Sequence, residues 1–294
     1  MSRAFGQTAQ DWLAGRRPAI VVEVASTQGS APRSAGTRML VSAAETTGTI
    51  GGGHLELQAI TFARAMLASG NVQRQERRYA LGPTLGQCCG GAVTLAFSPL
   101  DEAALASWPA SRPLFHLQLH GAGHVGRAIA TLLATLDCEV DWLDQRDDGF
   151  PDATTLSSPW PGHVRRIGAE TIEHEVRHAP PGAFYLVLTH EHALDLRIVE
   201  AVLRRGDFGW LGLIGSETKR ASFAHRLEAK GFQPSEIDRI TCPIGIAGIA
   251  GKQPEVIAAA VVAQLLQVAS AQASEAAEPA VDEQVDAGDV RGRV

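Results

Sequence analysis

Two adjacent cysteines, Cys88 and Cys89, lie in the glycine-rich stretch LGPTLGQCCGG of a chain that has four cysteines in all. Thiolates are the soft ligands of proteins, and backbone donors in a glycine-flanked turn can lower the pKa of a thiol and make it a better ligand or nucleophile. The pair could instead oxidise to a strained vicinal disulfide, or serve packing alone. We therefore treat one of the two as a candidate cofactor-contacting thiol, and as a metal ligand, without choosing between them.

Three consecutive glycines precede an amphipathic stretch that predicts a helix: Gly51, Gly52 and Gly53. Backbone N–H groups at such a helix start favour a phosphate or another oxyanion. Arg33 and Arg38 could neutralise that anion, and His54, directly after the glycines, is counted with them as a candidate binding residue. The alternative is a tight strand-to-helix turn that needs positive φ.

A second glycine turn follows the apolar strand in PLFHLQLHGAGHVGRAIA and has the GxGxxG spacing: Gly121, Gly123 and Gly126. The next strand, CEVDWLD, ends on Asp144, where an acidic side chain commonly binds a ribose hydroxyl. Strand, glycines, helix, strand and acid in this order predict a Rossmann-like domain. Its crevice could hold a nucleotide, or its dinucleotide site could be altered or empty.

Further strands and helices alternate after this turn, which predicts an α/β protein whose C-terminal part is a doubly wound parallel sheet, with a smaller N-terminal α+β domain. Ligands of such sheets bind at the carboxyl ends of the strands, where His190, Ser216 and Cys242 fall. A metal site at His190 is the weaker interpretation, and helix capping explains Ser216. Lys219 and Arg220 oppose the dipole of the helix that they begin, which hints at an anionic ligand.

Domain boundaries follow from changes in composition along the chain. We predict an N-terminal domain over residues 1–99, a proline-containing linker over 100–112 and the Rossmann-like domain over 113–270. Residues 271–294 are small and acidic with few bulky apolar side chains, which is typical of a disordered tail.

The composition also limits the classes of partner. The chain of 294 residues is 45% hydrophobic, and its formal net charge of −6 comes without a long basic cluster, so a nucleic acid partner is not expected. The sequence shows no uninterrupted apolar run of about 20 residues and no secretory signal. We expect a cytoplasmic protein without a membrane segment, in which the cysteines stay reduced.

Seven segments together resemble the successive signatures of the xanthine dehydrogenase accessory proteins, the XdhC/CoxI family: GSAPRSAGTRMLV, GTIGGGHLE, LGPTLGQCCGG, HGAGHVGRAIA, THEHALDL, GDFGWLGLIGSETKR and CPIGIAGIAGKQPEVIAA. They occur in order between residues 10 and about 268. Two positions depart from the expected pattern, because Ser34 stands where an acid is common and Gln145 stands where Glu is frequent.

The resemblance implies a maturation chaperone that has no oxidoreductase activity of its own. Such a protein binds the molybdenum cofactor, a molybdopterin, protects its sulfurated form and inserts it into the molybdenum-binding subunit of xanthine dehydrogenase. A cysteine desulfurase supplies the sulfur, and a homodimer is expected by analogy. An NAD(P)-dependent Rossmann oxidoreductase is the alternative function, with His190 as the one candidate proton donor.

Overall fold

The computed structural model describes residues 3–81, 91–109, 112–146, 149–151, 160–168 and 170–277. Two units make up the chain, Met1–Arg112 and Pro113–Val294. The Cys88–Cys89 pair and residues 278–294 of the predicted tail lie outside the described residues.

The first unit is built on an antiparallel sheet of five strands in the order β3-β2-β1-β5-β4. Its described elements are α1 (Arg3–Ala14), β1 (Ala19–Gln28), β2 (Arg38–Ser42), β3 (Thr46–Gly48), α2 (Gly53–Ser69), β4 (Gln75–Ala80), β5 (Ala92–Pro99) and α3 (Glu102–Ala106).

The central strand β1 explains how this sheet is covered. Successive side chains of a strand point to opposite faces. Ile20 and Val22 accordingly join the core that includes Leu55 of α2, whereas Val21 joins a smaller core with Phe5 of α1 on the other face. Because both faces of β1 are covered, its sequence reads as a nearly continuous apolar run. The predicted linker over 100–112 includes α3, and Leu100 is buried in the smaller core.

The second unit is a parallel sheet of six strands in the order β11-β10-β9-β6-β7-β8. Its described elements are β6 (His116–His120), α4 (His124–Leu133), β7 (Glu139–Asp144), β8 (Val164–Gly168), α5 (Ile172–Glu175), β9 (Phe184–Val187), α6 (His192–Arg205), β10 (Trp210–Leu213), α7 (Glu217–Glu228), α8 (Pro234–Ile237), β11 (Ile240–Thr241) and α9 (Pro254–Ala277). A 3-10 turn, Val176–His178, follows α5 directly.

This strand order is doubly wound, which confirms the predicted fold class. The chain runs outward from β6 through β7 to β8, then crosses to β9 and runs outward in the other direction. The order therefore reverses between β6 and β9, the position where such sheets open a crevice at their carboxyl edge. One hydrophobic core lies on the side of α5 to α8, and another lies under α4 and α9.

Helix boundaries in the second unit follow local capping rules. Gly206 ends α6 in the left-handed conformation. Ser216 caps α7, as predicted, by accepting a hydrogen bond from Lys219 N. Helix α9 continues to Ala277, so the first residues of the predicted tail are helical.

Helix α9 has a mean hydropathy of 1.7 over Pro254–Ala276, and by length and composition alone it could cross a membrane. A core helix of a soluble protein passes the same test. Ala258, Val261 and Leu265 of α9 are fully buried in the core under α4, so this packing accounts for one face of the helix.

Candidate functional site

One end of the sheet in the first unit brings together three segments that the sequence singled out. A Cβ built on Gly51 would lie 2.7 Å from the ring of Pro32, beside Arg33. At the end of β1, a Cβ on Gly91 would lie 2.4 Å from the carbonyl oxygen of Gln28. The Gly51 turn and Gly91 therefore both pack closely against the stretch from Gln28 to Arg33.

The cysteine pair itself lies outside the described residues, but the residues that flank it are described. Leu81 N donates a 2.7 Å hydrogen bond to Gly91 O, so the two residues on either side of segment 82–90, which we call its base, are paired. Gly91 lies next to the stretch that carries Arg33, so the base of the cysteine segment and the arginine occur at the same end of the sheet. That Cys88 or Cys89 contacts a cofactor stays a prediction.

The side chain of Glu56, which was not among the predicted site residues, holds the three-glycine turn. Its Oε2 accepts hydrogen bonds from Ile50 N and Gly52 N, each 3.0 Å long, and from the hydroxyl of Thr49. Thr49 Oγ1 in turn accepts from Gly51 N. Three of the amides that could have bound an oxyanion are therefore satisfied from within the chain.

The remaining amides of this turn lie at the start of α2. Gly52 has φ 77° and makes no side-chain cap hydrogen bond, and a Cβ built on it would meet no atom within 4 Å. Gly53 and His54 are exposed on the first turn of the helix. Gly51, Gly52 and Gly53 all have positive φ, so this tight strand-to-helix turn does require glycines. An oxyanion has access at Gly53 and His54, while Glu56 occupies the donors before them.

The two predicted arginines have different surroundings. Arg33 is exposed, whereas Arg38 forms an ion pair with Glu23 (Nε to Oε2, 2.9 Å) and lies over the ring of Trp108. Both arginines line an open groove of about 740 Å³, together with Thr49. Arg33 is thus the better placed of the two to meet an anion, because the charge of Arg38 is already balanced.

The GxGxxG turn in the second unit has the geometry that its glycines predict. Gly121 has φ 119°, and a Cβ on Gly126 would lie 2.1 Å from Gly121 O, so neither position has room for a side chain. A Cβ on Gly123 would meet no atom within 4 Å, and Gly123 caps α4 without a side-chain hydrogen bond. The start of α4 is therefore open to a ligand.

Asp144 lies at the end of β7, as predicted, and its carboxylate is already engaged. Oδ2 accepts from Ala122 N at 2.7 Å and from Arg146 Nη2 at 3.0 Å, and Oδ1 accepts from the backbone and side chain of Arg146. Burial raises the pKa of this carboxyl, but the hydrogen bonds from Arg146 and Ala122 together hold it below its usual value. Asp144 thus anchors the glycine turn to β7, and its predicted role in binding ribose would require the aspartate to share these bonds.

A buried ion pair joins the segments that follow β9 and β10. Asp195 is fully buried in the first turn of α6, where it accepts from the backbone and hydroxyl of Thr189 and pairs with Lys219 Nζ at 2.7 Å. Lys219 Nζ also donates to Ile214 O. The charge of Lys219 is therefore balanced by Asp195 within the chain, which removes the reason to expect an anionic ligand at Lys219. Arg220 forms only an exposed ion pair with Asp238, so an anionic ligand there stays a prediction.

The histidines at the carboxyl edge differ in burial. His190 is exposed on the turn before α6. His120, the last residue of β6, is fully buried, and its ring nitrogens have no hydrogen-bond partner among the described residues. Burial lowers the pKa of His120 to about 3, against a smaller opposing effect of Asp141. A neutral imidazole therefore lies directly before Gly121.

Local signals could have indicated some of the residues that the sequence reading missed. Glu56 lies in the first turn of the predicted helix, where acidic side chains are favoured because unpaired amides point towards them. The bonds of Asp144 to Ala122 and of Asp195 to Lys219 join residues more than 20 positions apart, and no local pattern indicates them.

Comparisons with known proteins agree with these features. Residues 117–265 match the XdhC Rossmann domain, and residues 12–79 match the XdhC and CoxI family. The uncharacterized protein YqeB of Escherichia coli (strain K12) is 30% identical over 266 residues, which make up 85% of this chain and 43% of YqeB. The chain therefore spans less than half of that relative. A solved structure described as a xanthine dehydrogenase (BH1974) from Bacillus halodurans has the same fold, with a TM-score of 0.75 at 18% identity over 95% of this chain and 98% of that one.

Proposed function

This chain belongs to the XdhC and CoxI family, as its motifs predicted, and from that premise we propose that it is an accessory protein in the maturation of a xanthine dehydrogenase. In this proposal it binds the molybdenum cofactor, protects the sulfurated form and transfers it to the molybdenum-binding subunit of the apo-dehydrogenase. A cysteine desulfurase is the proposed sulfur source, and homodimerisation and a cytoplasmic location remain part of the proposal.

The observation that carries the proposal is the convergence at one end of the sheet in the first unit. Arg33, the open start of α2 at Gly53, and the base of the cysteine segment at Gly91 all border the stretch that follows β1. Molybdopterin has a terminal phosphate and a soft metal–dithiolene end, so its carrier needs an oxyanion site and a soft donor.

The residues present fit molybdopterin, but only part of the glycine turn is available to its phosphate. The phosphate would be held by the amides at Gly53 and His54 with the charge of Arg33, because Glu56 occupies the amides of Ile50 and Gly52. A thiolate of Cys88 or Cys89 would face the metal–dithiolene end. When bound, the cofactor supplies the molybdenum centre that the client enzyme needs, and the protein only binds and shields it.

The alternative of an NAD(P)-dependent oxidoreductase has weaker support. Both carboxylate oxygens of Asp144 already accept two hydrogen bonds each, so the residue expected to bind a ribose is committed to Ala122 and Arg146. The open start of α4 at Gly123 still leaves space for a phosphate-bearing ligand in the crevice. The geometry thus favours an accessory role over hydride transfer.

The test is to express the full chain in a host that makes molybdopterin, purify it, and measure the fluorescence of oxidised pterin released by heat denaturation. We expect pterin with the wild-type protein and its loss in the Cys88→Ser/Cys89→Ser variant. Cys138→Ala is the matched control, because Cys138 is buried in the second unit and donates to Leu133 O. Wild-type protein that carries stoichiometric NAD and no pterin would overturn the proposal.

Transfer is tested separately with the purified, cofactor-loaded chain and a cofactor-free xanthine dehydrogenase. Appearance of dehydrogenase activity on mixing supports delivery. Pterin that stays bound to the chain in the presence of the apo-dehydrogenase contradicts it.

A further inference from the structure

Two histidines and a glutamate lie together on a short helical segment that the proposed function does not use. His174, Glu175 and His178 have the spacing H-E-x-x-H, and one ligand atom from each lies within 4.8 Å of the others. The rings of the two histidines are 4.8 Å apart between centroids. The α-helical turn Ile172–Glu175 passes directly into the 3-10 turn Val176–His178, and this backbone path places both imidazoles side by side.

We propose that His174, Glu175 and His178 form a binding site for a divalent transition-metal ion of the zinc type. Two imidazole nitrogens and one carboxylate oxygen are a donor set that zinc and its neighbours prefer. In a tetrahedral zinc site the ligand atoms are separated by about 3.3 Å, as follows from metal–ligand distances of about 2.0–2.1 Å. Both histidine side chains are exposed, so small rotations of the side chains are enough to close the site.

The backbone beneath the site is firmly held, although the helical segment is short. Glu175 O accepts a 2.8 Å hydrogen bond from Gln118 Nε2, and Val176 O accepts from Tyr185 Oη and from Arg205 Nη1. Val176 itself is fully buried in the core. The stretch between the two histidines is therefore fixed to the sheet and to α6, which lowers the entropy lost when a metal orders the ligands.

Three protein ligands leave at least one coordination position open. Structural zinc sites are closed by four protein ligands, whereas sites with three keep a position for water or a small anion. The ion at this site is accordingly accessible to solvent and exchangeable. This inference does not depend on the binding of molybdopterin by the first unit.

The test uses the full-length, untagged chain in a Cys88→Ser/Cys89→Ser background, so that thiolates cannot contribute. After treatment with a chelator, the protein is titrated with Co²⁺ and, in competition with a chromophoric chelator, with Zn²⁺. We expect one ion per chain and a cobalt absorption spectrum typical of nitrogen and oxygen ligands.

Single variants identify the ligands. His174→Ala and His178→Ala are each expected to weaken Zn²⁺ binding by at least about tenfold, since loss even of an outer-shell partner costs about 10–100-fold. Glu175→Gln should weaken binding and keep the fold. His225→Ala is the matched control, because His225 is also an exposed histidine on a helix of the second unit. Circular dichroism confirms folding of each variant.

Two results would overturn the proposal. One is a parent protein that binds Zn²⁺ no more tightly than the His174→Ala/His178→Ala double variant. The other is an equal loss of affinity in His225→Ala and in the single variants at the site.

Discussion

The hydrogen bonds of Glu56 predict that its carboxylate stabilises the first unit more than its partial exposure suggests. Its Oε2 accepts from three donors: Thr49 Oγ1, Ile50 N and Gly52 N. Glu56→Gln keeps the shape and one acceptor oxygen but removes the charge. Hydrogen bonds to charged groups contribute about 1 kcal/mol more than neutral ones, so three bonds give an upper bound of about 3 kcal/mol.

Two further effects determine the expected change in the free energy of unfolding for Glu56→Gln. Glu56 lies in the first turn of α2, where a negative charge adds about 0.5 kcal/mol through the helix dipole. Water reaches part of the side chain and replaces some of the lost interaction. We therefore expect Glu56→Gln to lower the free energy of unfolding of the first unit by about 2 kcal/mol, which is a shift of about 1 M in the urea midpoint.

Pulsed hydrogen exchange with mass spectrometry in urea is the appropriate assay, because it reports on peptides from α2 and β1 separately from the second unit. Glu76→Gln is the matched control in the same unit. Glu76 pairs with Arg74 on the surface, with side chains 53% and 64% exposed, and such pairs contribute about 0–1 kcal/mol. Equal midpoint shifts in the two variants would refute the role assigned to Glu56.

The same variant also tests where an oxyanion binds. If the phosphate of the cofactor uses Gly53 and His54, the folded Glu56→Gln protein should retain as much pterin as the wild type. A clear increase in retained pterin would show that the ligand competes with Glu56 for the amides of Ile50 and Gly52.

Three other changes test the second unit. Lys219→Met leaves Asp195 buried without its cation and should lower the free energy of unfolding, measured in urea, by about 3–5 kcal/mol. Adding Asp195→Asn should recover part of this loss, and a double variant with an undiminished loss would contradict the pairing. Gly126→Ala should cost about 1–3 kcal/mol, whereas Gly123→Ala should leave the thermal midpoint nearly unchanged; equal losses would contradict the packing. His120 is neutral when folded, with a pKa of about 3, but its unfolded form takes up a proton near pH 6.5. Stability should therefore fall as pH drops from 6.5 towards 3, by up to about 1.4 kcal/mol per pH unit, and urea midpoints of His120→Leu should show a smaller slope.

Most of the fold could be predicted because its signals are local. Apolar strands alternating with helices, and the GxGxxG turn between β6 and α4, need only neighbouring residues to be recognised. The short elements α5, α8 and β3 were not predicted, because they have few residues and are stabilised by contacts with the rest of their unit. The helical start of the predicted tail has a similar cause, since α9 is anchored in the core by Leu265 and Ala269.

The candidate sites were only partly predictable. The sequence identified the glycine turns, Arg33 and the carboxyl-edge positions, and it placed the acid Asp144 correctly at the end of β7. It could not show that this acid accepts a hydrogen bond from Ala122 N, or that Lys219 forms an ion pair with Asp195. These bonds join segments that become neighbours only when the strands take their order in the sheet.

The sequence by itself thus determined the family, the order of the elements and the positions where the backbone must turn, because each depends on residue types at short spacing. Only the tertiary structure decided which donors and charges at those turns are still available to a ligand. Glu56 accepts from the amides of Ile50 and Gly52 in the first unit, and Asp195 balances Lys219 in the second. Arg33 and the helix starts at Gly53 and Gly123 stay open. The physical reason is that most buried polar groups are paired, and the packing of distant segments sets which partner each one meets.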